Sequence, residues 1–164
     1  MNRHISRHAL LLGLAALLLA SLPGTLFADG GGGGGGGESA APRDPQYEQA
    51  LRLIKQERFA QAIPLLEQVV GRNSSDADAY NLLGFSSRKL GMLDKALTYY
   101  DQALRIDPKH RGAHEYRGEA YLQLGQLDKA KEELAFLDRD CWLPCEEFSD
   151  LKAAVARYEA QARR

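Results

Sequence analysis

The chain has 164 residues, of which 45% are hydrophobic and 26% are charged, and its formal net charge is −1 at pH 7. This composition is ordinary for a globular domain and excludes both wholesale disorder and a protein with many membrane spans. A nearly neutral chain also gives no electrostatic reason to expect binding to nucleic acid or to an anionic membrane surface.

The first segment, residues 1–28, has the features of a secretory signal peptide. Arg3 and Arg7 give it a basic start, and residues 9–22 carry no charge. An apolar run this short is more typical of a signal peptide than of a transmembrane helix, although an uncleaved membrane anchor is the alternative. We therefore expect cleavage after Ala28, export to a periplasm or to the outside of the cell, and no membrane span in the mature chain.

The second segment, residues 29–42, is predicted to be a flexible linker. It contains Gly30–Gly37, which accounts for eight of the sixteen glycines in the chain. Glycine has no side chain to bury and loses the most backbone entropy on ordering, so such a run favours a tether. No Lys-Ser or Lys-Thr pair follows the glycines, so we do not predict a phosphate-binding loop.

The rest of the chain repeats itself at a constant offset of 34 residues. At this offset Gly84 aligns with Gly118 and Gly91 with Gly125, and the strings LGMLDKA and LGQLDKA differ at one position. Each repeat holds two stretches whose apolar residues recur three and four positions apart, as on one face of a helix. We therefore predict an all-α chain without strands, composed of helix–turn–helix units over residues 43–76, 77–110 and 111–144 and a capping helix over residues 145–164.

The repeating unit resembles the tetratricopeptide repeat family in its length and in its residues. The second repeat carries the family pattern almost completely, in Tyr80, Leu83, Gly84, Ala96, Tyr100, Ala103 and Pro108. The resemblance implies a right-handed α-solenoid whose small residues let the helices of each repeat approach closely. No serine, cysteine or histidine stands at the spacing of a known catalytic motif, so we predict neither catalysis nor a cofactor.

In the family that this chain resembles, the first helix of each repeat lines a concave groove that binds part of another protein. The resemblance places in that groove Tyr47, Leu51, Ile54 and Lys55 of the first repeat, Asn81, Phe85, Arg88 and Lys89 of the second, and Glu115 and Glu119 of the third. Such a groove would be apolar at one end, basic in the middle and acidic at the other end. It would fit a partner with an apolar anchor and an acidic group. Leu51 and Ile54 have the alternative of packing inside the solenoid, because apolar residues at helical spacing are usually core.

The motif CWLPC places Cys141 and Cys145 between the third repeat and the capping helix. In an exported protein we expect such a pair to form a structural disulfide. The function that we favour is an exported adaptor that binds a peptide or helix of another protein, with no metal site. The alternative is a periplasmic redox or metal-handling protein that uses Cys141 and Cys145, either alone or together with His110 and His114.

Overall fold

The computed structural model describes residues 43–143 and 145–163, so the predicted signal peptide and linker lie outside the described residues. Within these ranges the chain forms seven helices and no strand, which confirms the predicted all-α solenoid of helix–turn–helix repeats. The helices are α1 (Pro45–Lys55), α2 (Phe59–Arg72), α3 (Ala77–Lys89), α4 (Leu93–Ile106), α5 (Arg111–Gln123), α6 (Leu127–Asp140) and α7 (Glu146–Ala162). None of these seven helices is long and apolar enough to cross a membrane.

Side chains cap the first helix of each pair. Asp44 accepts a hydrogen bond from the backbone N–H of Gln46 at the start of α1, and Asp76 accepts one from Ala79 at the start of α3. At the start of α5 the Nδ1 atom of His110 accepts the backbone N–H of its third neighbour. Each cap satisfies an N–H group that the beginning of a helix leaves unpaired, and thereby defines where the helix starts.

The turn inside each pair requires a residue with positive φ. Gly91 and Gly125 adopt φ angles of 75° and 74°, which glycine reaches without steric cost. One repeat earlier, Glu57 takes the equivalent place with a φ angle of 57°. The first repeat thus keeps the geometry of the turn without a glycine at this position.

Helices pack closely where a glycine faces a large side chain. Gly84 of α3 lies against the ring of Tyr100 in α4, and Gly118 of α5 lies against Leu151 of α7. Both large side chains are fully buried. The two glycines therefore set how near the neighbouring helices can come.

The helices α1, α3, α5 and α7 form the inner row of the stack. α3 contacts α5 and α5 contacts α7 directly, whereas in the described residues α2, α4 and α6 make no comparable contacts with one another. In a curved stack of repeats, the inner helices lie closer together than the outer ones. The α7 helix follows α5 as the first helix of a fourth repeat would, and its Leu151 and Val155 close the apolar end of the stack.

Candidate functional site: the groove of the inner helices

Three partly exposed aromatic rings, those of Phe59, Phe85 and Tyr116, form a continuous set that we call the aromatic row. The ring centroid of Phe85 lies 5.8 Å from that of Phe59, in an edge-to-face arrangement, and 4.9 Å from that of Tyr116. Contacts between rings at these distances are favourable and hold the side chains in place. The row joins the inner helices α3 and α5 to Phe59, the first residue of the outer helix α2, and Phe85 stands at its centre.

Two cationic side chains lie beside the aromatic row. The guanidinium carbon of Arg88 is 5.5 Å from the ring centroids of both Phe85 and Tyr116, and the Nζ atom of Lys89 is 5.8 Å from the ring centroid of Phe85. Lys89 is exposed, whereas Arg88 is only 7% exposed and forms a salt bridge of 2.5 Å with Glu119. The sequence places Arg88 in a basic middle of the groove, but Glu119 neutralises its buried guanidinium, and Lys89 is the cation that stays exposed beside the aromatic row.

The first repeat offers less apolar surface than the resemblance implied. Tyr47 is only 6% exposed and belongs to the first core cluster, and the guanidinium of Arg43 lies 5.0 Å from its ring. Leu51 and Ile54 pack against the same cluster, while Lys55 is exposed at the end of α1. Tyr47 therefore lies in the core and not at the exposed apolar anchor expected from its repeat position, because α1 packs this face against α2. Leu51 and Ile54 are partly buried, so both the groove position and the core-packing alternative stay open for them.

The acidic end of the groove lies where α5 meets the start of α7. A cavity of about 210 Å³ is lined there by Asn81, Gly112, Glu115, Tyr116, Glu146, Glu147 and Asp150. Glu115 is only 7% exposed, and burial, reinforced by the neighbouring Glu119, Asp150 and Glu147, raises the pKa of its carboxyl to about 8. The structure thus brings Asn81 and Glu115 together, and α7 supplies most of the surrounding negative charge.

Sequence reasoning missed the two outer rings of the aromatic row and the carboxylates of α7. Phe59 and Tyr116 lie outside the groove positions of the family, so the repeat pattern alone could not select them. The pair Glu146 and Glu147 follows the last predicted repeat. Extending the repeat pattern by one more unit would have found Glu146. In that unit Glu146 takes the second position, which Gly112 holds in the third repeat.

The two histidines of the alternative function have other partners. The Nδ1 atom of His114 lies 2.6 Å from a carboxylate oxygen of Glu133, and its Nε2 atom lies 3.1 Å from a backbone carbonyl oxygen. His110 caps α5 through Nδ1, and its Nε2 atom lies 3.1 Å from a carboxylate oxygen of Asp78. In the part of the chain that the structure describes, no three His, Cys, Asp or Glu side chains are placed to hold a metal ion. The geometry gives the metal-handling alternative no support.

A disulfide joins Cys141 and Cys145 between α6 and α7. The chain has no further cysteine, so this pair is the whole thiol content of the protein. The short loop carries Trp142, which is 90% exposed. The oxidation state of the pair in solution stays a prediction.

The fold and the groove define a helical-repeat protein composed of helix–turn–helix units. Two family models described as tetratricopeptide repeat match the chain, over residues 47–110 and over residues 87–139. Together they span more than half of the chain, which therefore belongs to the tetratricopeptide repeat family. No curated protein sequence matches the chain significantly.

Several solved structures share this fold. The type III secretion chaperone SycD of Yersinia enterocolitica, in complex with a peptide of the translocator YopD, is 19% identical with a TM-score of 0.62, over 72% of this chain and 89% of that chain. The second TPR domain of human RPAP3, in complex with an HSP70 peptide, is 16% identical with a TM-score of 0.62, over 70% of this chain and 92% of that chain. MamA of Desulfovibrio magneticus RS-1 is 27% identical with a TM-score of 0.56, over 60% of this chain and 57% of that chain.

Proposed function

We propose that this protein is a non-catalytic adaptor that holds a peptide or helix of a partner protein in the groove of its inner helices. The aromatic row is the observation that carries this proposal. Its three rings are partly exposed, come from three different helices and lie beside the exposed cation of Lys89. Fixed aromatic side chains of this kind are the groups that dominate the binding energy of protein interfaces.

The structural neighbours support the same class of function. The SycD and RPAP3 structures each contain a peptide of another protein bound to a domain of this fold. A shared fold does not define a ligand, so the choice of partner must come from the groove of this chain. A partner segment with an apolar anchor for Phe85 and an acidic group near Lys89 fits the centre of the groove.

Export of the mature chain is part of the proposal. It rests on the basic start of the sequence and on the uncharged run over residues 9–22. An oxidising compartment would favour a disulfide between Cys141 and Cys145, whose Cα atoms lie 5.9 Å apart, within the usual range for such a bond.

The test begins with a crosslinking pulldown from the exported fraction, which identifies the partner, and continues with the affinity of single variants. Phe85→Ala removes the central ring of the aromatic row and should weaken binding by about 2 kcal/mol, a loss of roughly 30-fold. Tyr99→Ala is the matched control, because Tyr99 is a partly buried aromatic residue on the outer helix α4. It should change the affinity less than about threefold.

Circular dichroism checks that both variants keep the helical content of the parent. A folded Phe85→Ala variant with unchanged affinity would move the binding site away from the aromatic row. Equal losses in both variants would show a general effect on the fold and would also contradict the proposal.

A further inference from the structure

The cavity at the acidic end of the groove has a one-sided charge. Its lining contains four carboxyl groups, from Glu115, Glu146, Glu147 and Asp150, and no lysine or arginine among the described residues. Glu146 and Glu147 have a structural reason to be acidic, because they occupy the first turn of α7, where negative charge favours the helix. Glu115 lies inside α5 and has no such reason.

Glu115 is a largely buried residue whose carboxyl group has no protein partner. The residue is only 7% exposed, and within residues 43–143 and 145–163 no ion pair or hydrogen bond to its carboxyl is formed. Its carboxyl oxygens are not among the fully enclosed unpaired atoms, so they are accessible from the cavity. Arg88, which approaches it, is bonded to Glu119 instead. Burying a carboxyl group without a partner costs free energy, and the raised pKa of Glu115 reflects that cost. A cation brought by a ligand would offset it.

Asn81 provides a second and independent sign of an unfilled site. Asn81 lines the same cavity, is only 7% exposed, and its Oδ1 atom has no hydrogen-bond partner in the described structure. A Cβ atom on Gly112 would lie 3.2 Å from the Nδ2 atom of Asn81, so a side chain at this position would close over the amide. The glycine keeps the space beside the Nδ2 atom of Asn81 open. The unpaired Oδ1 atom is enclosed, so it can accept a hydrogen bond from a ligand once the amide group turns toward the cavity.

We propose that this cavity receives the ammonium or guanidinium group of a lysine or arginine side chain of the bound partner. The inference rests on the proposed function and deepens it, since Tyr116 belongs both to the aromatic row and to the wall of the cavity. A volume of about 210 Å³ is below that of drug-sized pockets and suits one side chain. Carboxylate and amide oxygens accept the hydrogen bonds of such a group, and the ring of Tyr116 adds a favourable cation–π surface.

The described residues do not hold three metal-ligating groups close enough for an ion, so an organic cation fits better than a metal. The partner then combines an apolar anchor for Phe85 with a basic residue for the cavity. An acidic group near Lys89 completes the match. Such a segment carries charges of both signs, which distinguishes it from a uniformly acidic peptide.

The experiment is an NMR titration of the ¹⁵N-labelled chain with blocked single amino acids, the N-acetyl methylamides of lysine, arginine and norleucine. The lysine and arginine probes should cause saturable shifts of the backbone amides of Asn81, Glu115 and Glu147. Norleucine has the aliphatic chain without the charge and should not. Saturable shifts with norleucine of equal size, or none with the cationic probes, would overturn the proposal.

Variants connect the shifts to the carboxyl groups. Glu115→Gln combined with Asp150→Asn should weaken lysine-probe binding at least tenfold. Glu132→Gln is the control, because Glu132 is an exposed glutamate of α6 that does not line the cavity, and it should leave the affinity unchanged. Unchanged affinity in the double variant would contradict the proposal.

The affinity for the lysine probe should also rise between pH 6.5 and 8.5, because the bound cation favours the ionised form of Glu115. The groups that face Glu115 are Arg88, Tyr116, Glu119, Glu146, Glu147 and Asp150. The single variant Glu115→Gln should remove the rise, and a rise that persists in it would contradict the role of Glu115.

If the probes bind as expected but Phe85→Ala captures the partner normally, only the proposed function of the groove fails. If capture depends on Phe85 and the probes do not bind, only the cavity proposal fails.

Discussion

The glycines of the helix pairs allow a stability test whose magnitude follows from the structure. A Cβ atom on Gly84 would lie 2.6 Å from the Cδ1 atom of Tyr100, whereas a Cβ atom on Gly71 would meet nothing within 4 Å. Both glycines are inside helices, Gly84 in α3 and Gly71 near the end of α2. The two changes to alanine therefore share the same chemistry and differ in the space around the added methyl group.

The expected changes in the free energy of unfolding result from two opposing effects. Alanine in place of a helical glycine favours the helix by about 1 kcal/mol. Overpacking a well-packed core costs about 1–3 kcal/mol, and the ring of Tyr100 is fully buried and cannot turn away. Gly84→Ala should therefore lower the free energy of unfolding by up to about 2 kcal/mol, while Gly71→Ala should raise it by up to about 1 kcal/mol.

The assay is urea unfolding followed by circular dichroism, with the two variants and the parent measured side by side. Gly118→Ala adds an intermediate case, because its Cβ atom would lie 2.6 Å from a terminal methyl group of Leu151, which can shift more easily than a ring. The predicted order of stability is Gly71→Ala, parent, Gly118→Ala and Gly84→Ala. A Gly84→Ala variant at least as stable as the parent would refute the close packing of α3 on Tyr100.

Two further measurements test the charges and the processing of the chain. The pKa of Glu115 is raised from 4.5 to about 8, so the folded state holds this proton more tightly and its stability falls as the pH rises through that interval. At pH 8.5 the Glu115→Gln variant should therefore be more stable than the parent by about 1–2 kcal/mol, a figure reduced because solvent screens part of the interaction. At pH 4.5 the two proteins should have nearly the same free energy of unfolding. A variant less stable than the parent at pH 8.5 would contradict the burial of this residue. Intact-mass analysis of the exported protein should find cleavage after Ala28 and no free thiol at Cys141 and Cys145 before reduction, whereas an intact Met1 or two free thiols would refute the export prediction or the disulfide.

The repeat period explains why the fold could be predicted from the sequence. The same offset that aligns the repeats links Gly91 to Gly125, and these residues occupy the positive-φ turns. The second helices begin at Phe59, Leu93 and Leu127, which are separated by that offset as well. Periodic helix signals and turn glycines are local properties of the chain, so the sequence carries them directly.

The groove was harder to predict because burial and pairing depend on neighbouring helices. The repeat position of Arg88 indicates the groove, but its salt bridge to Glu119 depends on how α3 meets α5. Likewise, nothing local distinguishes the buried Glu115 from an exposed glutamate, since its environment comes from α7. The position of Tyr47 within its repeat predicts a place in the groove, but packing against α2 buries it in the core.

Photo-crosslinking at the aromatic row tests the central claim, that the inner helices hold the partner. Benzoylphenylalanine in place of Phe85 puts the reactive group in the groove, and the same residue in place of Tyr99 puts it on the outer helix α4. The account predicts that irradiation in the presence of the partner gives a covalent adduct from the first protein and none from the second. An adduct from the Tyr99 position alone would contradict it.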